Sequence, residues 1–120
     1  MLKKENRVHK KREFDQFFGV NFKKNRGFNS SSPNLILKIL FSNDKKSKFG
    51  FIVSNQVDKR ATTRNLLKRR LREIVRLNLG KFKLPIDAII LAKVSAKKLE
   101  YPALEKELIS LFKRVRGYDN

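Results

Sequence analysis

Cysteine is absent from this 120-residue chain, which excludes a disulfide framework, a thiolate zinc site and a cysteine nucleophile. There is a single histidine, His9, too few for a His-rich metal centre, and an ordinary Ser-His-Asp triad is hard to build. His9 reads as a solvated side chain. Long apolar runs are missing too: the longest, around residues 88–92, falls far short of the ~18 residues a membrane span requires. Leu2 is followed at once by Lys3 and Lys4, with no hydrophobic signal-peptide stretch, so the expected location is the cytoplasm. Acidic residues are scarce, with 11 Asp and Glu against 30 Lys and Arg. Asp15, Asp44, Asp58 and Asp87 form no spaced carboxylate cluster, and three of the four stand beside turns or a helix and read as local caps or solvated residues.

What remains is a small basic domain. The hydrophobic content of 40% supports a packed core, and the length allows one domain. A net charge of +19 repels itself unless a polyanion neutralises it. Nucleic acid is the first partner to consider, and an anionic membrane surface is the rival. Residues 1–11 carry Lys3, Lys4, Arg7, Lys10 and Lys11 against Glu5, and read as a basic tail that is mobile until it meets a polyanion. Residues 12–116 read as the folded domain, and residues 117–120 as a C-terminal tail.

Periodicity supplies the elements. Residues 12–19 read as a short helix in which Phe14 and Phe18 share a face, with Phe17 nearby and Gly19 at its end. Residues 20–23 read as a short strand, and residues 25–33 as a loop. Residues 35–41 alternate as a strand: Leu35, Leu37, Ile39 and Phe41 face the core, while Ile36, Lys38 and Leu40 face the other way. In the next strand, 49–54, Phe49, Phe51 and Val53 oppose Gly50, Ile52 and Ser54, and the short intervening turn predicts an antiparallel pair. Residues 61–78 form the longest helical pattern, 86–92 a central strand covered on both faces, and 101–115 a final helix opened by Pro102. The order is α-β-β-β-α-β-α, an α+β sandwich of helices on a four-stranded sheet.

The helix at 61–78 carries the functional argument. Leu67, Leu71 and Ile74 gather on one side, flanked by Leu66 and Leu77. Asn65, Lys68, Arg69, Arg72 and Arg76 gather opposite, with Arg64 bordering them. Like charges at this spacing cost helix stability, so a purely structural face more often intersperses Glu. Arginine also offers a planar bidentate fork that suits phosphate. Asn65 is placed either to hydrogen-bond a base edge or sugar, or to hold the preceding turn. The phenylalanines at 14 and 18 are either core or accessible rings for stacking on unpaired bases.

These residues resemble a known family. Arg64-Asn65-Leu66-Leu67-Lys68-Arg69-Arg70-Leu71-Arg72-Glu73 is similar to the RNR signature helix of the bacterial ribonuclease P protein subunit. It keeps Arg64, Asn65, Lys68, Arg69, Arg72 and Glu73, and departs at Leu66, where the family usually has a second arginine. Lys4 to Val8 with Glu13-Phe14, Phe49 to Ser54, and Lys59-Arg60-Ala61 are similar to further family patterns in the same order. The resemblance implies a division of labour. A catalytic RNA subunit removes the 5′ leader of precursor tRNA, with magnesium held mainly by RNA phosphates and no catalytic side chain in the protein. Arg64, Asn65, Lys68, Arg69, Arg72 and Arg76 would dock on that RNA. Phe14, Phe18, Ile36, Lys38, Gly50, Ile52 and Ser54 would line a cleft for the single-stranded leader. The family often has an aromatic residue at the position of Lys38, so here a phosphate contact would replace part of the stacking. It further implies a left-handed β-α-β crossover through the signature helix, against the general rule, and a free protein that is monomeric.

Two other functions share the charge. A small structural RNA-binding protein of ribosomal type fits the composition, but the ordered 64–73 signature and the Phe14/Phe18 pair argue against it. A basic amphipathic membrane module needs a free apolar face, and Leu67, Leu71 and Ile74 are needed for the core.

Overall fold

The computed structural model describes residues 2–8, 11–19, 22, 23, 26–41 and 46–119, without the side chain of Arg12. Residues 42–45 of the expected turn at 42–48, with Asp44, and also His9, Lys10, Val20 and Asn25, lie outside the described residues. The elements run α1 (Lys11–Asp15), β1 (Phe28–Ser31), β2 (Leu35–Phe41), β3 (Lys48–Ile52), α2 (Ala61–Asn78), β4 (Ile86–Ala92) and α3 (Tyr101–Phe112). This is the anticipated α-β-β-β-α-β-α order of an α+β fold with a four-stranded sheet.

The sheet order is β1-β2-β4-β3. The expected direct pairing of residues 35–41 with 49–54 is therefore corrected. β4 lies between them, antiparallel to β2 (Leu37 opposite Ile90) and parallel to β3 (Phe49 opposite Ala88). The reason is β4's composition. Ile86, Ala88 and Ile90 are buried toward one face and Ile89 toward the other, so only an interior position covers both. The parallel β3–β4 pair needs a long crossover, and α2 supplies it.

Both faces of the sheet carry a core. Leu35, Leu37, Ile39, Phe49, Ile86 and Ile90 meet Leu71 and Ile74 of α2 and Leu104, Leu108 and Leu111 of α3. The other face holds Val8, Phe17, Phe22, Leu40 and Ile89, with Phe14, Ile52 and Leu91 half-buried beside them. A carboxylate ties α3 to the β1–β2 turn: Glu107 accepts from Ser32 Oγ (2.6 Å), Asn34 N (2.9 Å) and Asn34 Nδ2 (2.7 Å).

Four local expectations are revised. Of the expected strand at 20–23, the described residues Phe22 and Lys23 are helical, and β1 forms at 28–31 inside the expected loop. Pairing with β2 overrides the weak strand preference of Asn29, Ser30 and Ser31. Phe41 is 39% exposed rather than core, because it stands at the sheet corner. Residues 2–8 are docked rather than loose. Leu2 is 1% exposed in the main core, Val8 N–H donates to Phe49 O (2.9 Å), and Asn6 Nδ2 donates to Ser47 O (2.7 Å). The segment occupies the otherwise open edge of β3 while Lys3 and Lys4 stay exposed. The folded region also continues past 116. Tyr118 is buried against Phe82, with ring centroids 4.9 Å apart, and Asp119 N–H donates to Lys81 O (2.8 Å).

Candidate nucleic-acid interface

The start of α2 is fixed by charge. Arg60 precedes the helix in extended backbone, and its N–H donates to Asp58 Oδ1 (2.8 Å) while its guanidinium grips the same carboxylate. Those bonds hold the Asp58 carboxyl down at about 2. Arg64 reaches back through Nη1 to the carbonyls of Asp58 (3.0 Å) and Lys59 (2.8 Å). The turn-holding role considered for Asn65 thus belongs to Arg64, and Asn65 is exposed.

Beyond this turn, Leu67, Leu71, Ile74 and Val75 are buried and seal the core. On the outer flank, Arg76 is held by Glu73 through Nε (3.1 Å) and Nη2, which lowers the Glu73 carboxyl below its usual range. Arg76 is therefore a balanced charge. Lys68, Arg69 and Arg72 are not: no ion pair with a carboxylate reaches any of them among the described residues. Arg69 is exposed, and Arg72 is half-buried with its guanidinium 5.9 Å from the Phe51 ring centroid. Ring contact holds the Arg72 head while leaving its donors available. Leu66 is exposed beside this stripe.

The second surface lies on the opposite sheet face. α1 ends at Asp15, and the chain turns at Gly19, whose φ of +72° favours glycine. This geometry buries Phe17 and leaves Phe18 41% exposed. Lys48 pairs with Glu13 (3.2 Å) and ties α1 to β3. A cavity of about 570 Å³ is lined by Phe17, Phe18, Phe22, Lys23, Asn29 and Lys38, among others. Lys38 Nζ lies 4.6 Å from the Phe22 centroid and 5.5 Å from that of Phe18, so one ammonium faces two rings.

The seven expected cleft residues are not gathered in this cavity. Phe18 and Lys38 line it. Phe14 and Ile52 pack half-buried on the neighbouring apolar cluster, and Gly50 is buried beneath them. A Cβ at Gly50 would stand 2.9 Å from Phe14 Cε1 and 2.6 Å from Ile89 Cδ1, so glycine lets the Phe14 ring settle on the sheet. Ile36 is half-buried on β2, and Ser54 is exposed past the end of β3. Sequence reasoning missed Phe22 as a wall, although Phe14, Phe18 and Phe22 recur every fourth residue. Asn29 was missed because it falls in the expected loop.

Among the described residues no three His, Cys, Asp or Glu side chains gather as a metal-binding group, and no helix is long and apolar enough to cross a membrane.

The model of the family described as Ribonuclease P matches residues 2–116, a span that holds both the positive helix flank and the aromatic cavity. The chain belongs to the ribonuclease P protein family. The match includes the docked segment at 2–8. Among curated relatives, the ribonuclease P protein component of Clostridium botulinum (strain Loch Maree / Type A3) is 33% identical over 117 residues, covering 97% of this chain and 99% of that one. That of Fusobacterium nucleatum is 36% identical over 115 residues, covering 90% and 95%. The fold is similar to that of the Staphylococcus aureus RNase P protein, with TM-score 0.81 and 21% identity over 97% of this chain and 100% of the other. The Thermotoga maritima RNase P protein gives TM-score 0.78 and 24% identity over 92% and 98%.

Proposed function

We propose that this chain is the protein subunit of a ribonuclease P holoenzyme, in which an RNA subunit cuts the 5′ leader from precursor tRNA. The observation that carries this reading is the unopposed cationic flank formed by Lys68, Arg69 and Arg72 in a member of this family. α2 docks on the catalytic RNA through those three, with Asn65 offering an amide to a base edge or sugar and the backbone-bound Arg64 securing the helix start. Arg76 joins once phosphate competes with Glu73. The cavity on the other face takes the single-stranded leader: Phe18 stacks on an unpaired base, and Lys38 neutralises a phosphate beside it. Phe14, Gly50 and Ile52 continue the apolar surface beside that cavity. Ile36 and Ser54 extend the track along the sheet.

The chain contributes binding and orientation, with no side chain assigned to bond cleavage. Magnesium belongs mainly to RNA phosphates, which suit a hard cation that keeps much of its water. The free protein is a monomer that works in the cytoplasm.

The test is reconstitution with a candidate catalytic RNA, following leader removal at low magnesium. Adding the protein is expected to raise cleavage strongly. Phe18→Ala should weaken binding of leader-bearing precursor by about 1–3 kcal/mol while leaving mature tRNA unaffected. Equal losses on the two RNAs would refute leader contact.

A further inference from the structure

A second recess, of about 450 Å³, opens at the β1 edge and is lined by Arg26, Phe28, Phe41, Arg114 and Arg116. It shares no residue with the α2 stripe or with the Phe18 cavity. Its aromatic floor follows from register. Phe28 stands opposite Ile39 across β1 and β2, and Phe41 follows Ile39 by two residues. Both rings are therefore diagonal neighbours on the face that buries Ile39. Elsewhere that face is covered by α2 and α3. At this corner α3 has already ended at Phe112, and the rings remain 36% and 39% exposed.

What surrounds the rings is cationic. The Arg116 guanidinium lies 4.8 Å from the Phe41 centroid. Arg114 Nη1 donates to Ser30 Oγ (3.1 Å) and Ser31 O (3.3 Å), which anchors it on β1. Arg26 enters from the turn before β1, in left-handed backbone with φ +59°. Among the described residues no carboxylate forms an ion pair with any of the three. Three like charges around one opening repel each other unless an anion enters, and a guanidinium fork matches phosphate. Exposed rings beside them accept a planar base, which only an unpaired nucleotide can offer.

We propose that this recess is a nucleotide-binding subsite for single-stranded RNA, with the base on Phe28 and Phe41 and its phosphate on Arg26, Arg114 and Arg116. It extends the reading of this chain as a binder of unpaired RNA, at a place that reading does not use. Asn29, the residue after Phe28, lines the Phe18 cavity, so the two sites lie back to back across β1. A strand leaving one reaches the other round the open edge of the sheet.

The test titrates the full chain with a short fluorescein-labelled oligouridylate and maps photocrosslinks from a thiouridine-substituted version. In the unaltered protein, crosslinks are expected in the peptides holding Phe28 and Phe41. The double variant F28A/F41A should bind at least about fivefold more weakly. Arg26→Gln and Arg116→Gln, both exposed and safe for folding, should each flatten the log–log salt slope by about 0.7. Phe18→Ala is run alongside. If it alone weakens binding and crosslinks map only to its cavity, the recess is refuted and the leader reading stands. If only the recess variants weaken binding, the recess stands and the leader reading fails. Loss in the arginine variants without loss in F28A/F41A, or without crosslinks to the rings, indicates a bare phosphate patch and overturns the subsite. Unchanged binding in every variant overturns both.

Discussion

Gly50 shows how one missing methyl group shapes the open face. An added Cβ would collide with Ile89, Phe14 and Val8 together, at 2.6, 2.9 and 3.0 Å. Gly50→Ala should cost about 1–3 kcal/mol in urea denaturation, since three packed side chains must move at once. An unchanged midpoint would show that Phe14 is not seated on β3. Asp58 sets a pH dependence of known sign. Its carboxyl is held at about 2 by Arg60, below its ordinary value of 3.8. The charged form is favoured in the folded chain, so its stabilisation is complete above the ordinary value and is lost as pH falls through about 2. Asp58→Asn should remove that part of the acid sensitivity, read as a flatter plot of melting temperature against pH between about 4 and 2. An identical plot for the two proteins would mean that the Arg60 contact does not persist in solution.

At the scale of elements, the N-terminal segment and α2 behave differently from their shared basic composition. Leu2 is buried in the main core, while its neighbours Lys3 and Lys4 are exposed. Leu2→Ala should therefore destabilise the domain by about 2–4 kcal/mol, measured by denaturant unfolding. A change near zero would return the segment to the status of a loose tail. α2 is anchored by Leu71 and Ile74, so exposed Arg69 can be altered without touching the core, whereas Arg72 also contacts the Phe51 ring. Arg69→Ala and Arg72→Ala should each weaken binding of the catalytic RNA and lower the salt slope by about one, with the melting temperature nearly unchanged for Arg69→Ala. A salt slope equal to that of the parent would remove α2 as the docking element.

For the whole molecule, the charge of +19 opposes compaction and favours polyanions. Salt should thus act in two directions. Raising sodium chloride from low to moderate concentration should raise the melting temperature of the free chain by screening its self-repulsion. The same change should weaken RNA binding steeply, by about a thousandfold if six to ten phosphates are contacted. A melting temperature that falls with salt would show that the cations are already balanced within the fold.

The α2 pattern was legible in the sequence because both of its determinants are local. Leu67, Leu71 and Ile74 fall on one side of any helix at those positions, and Lys68, Arg69 and Arg72 then fall on the other. The strand faces at 35–40 and 49–54 follow from alternation in the same way. Phe41 broke that rule because alternation gives a direction and says nothing about whether a helix lies overhead. The neighbour of β3 was equally illegible: a short turn favours a hairpin, yet β4 has two apolar faces to cover and displaces β2. The docked residues 2–8, Arg64 bound to backbone carbonyls and the ring of arginines around Phe28 and Phe41 join residues far apart in the chain or turn on a single rotamer. Periodicity decides which side of an element is apolar; only the assembled fold decides what each side meets.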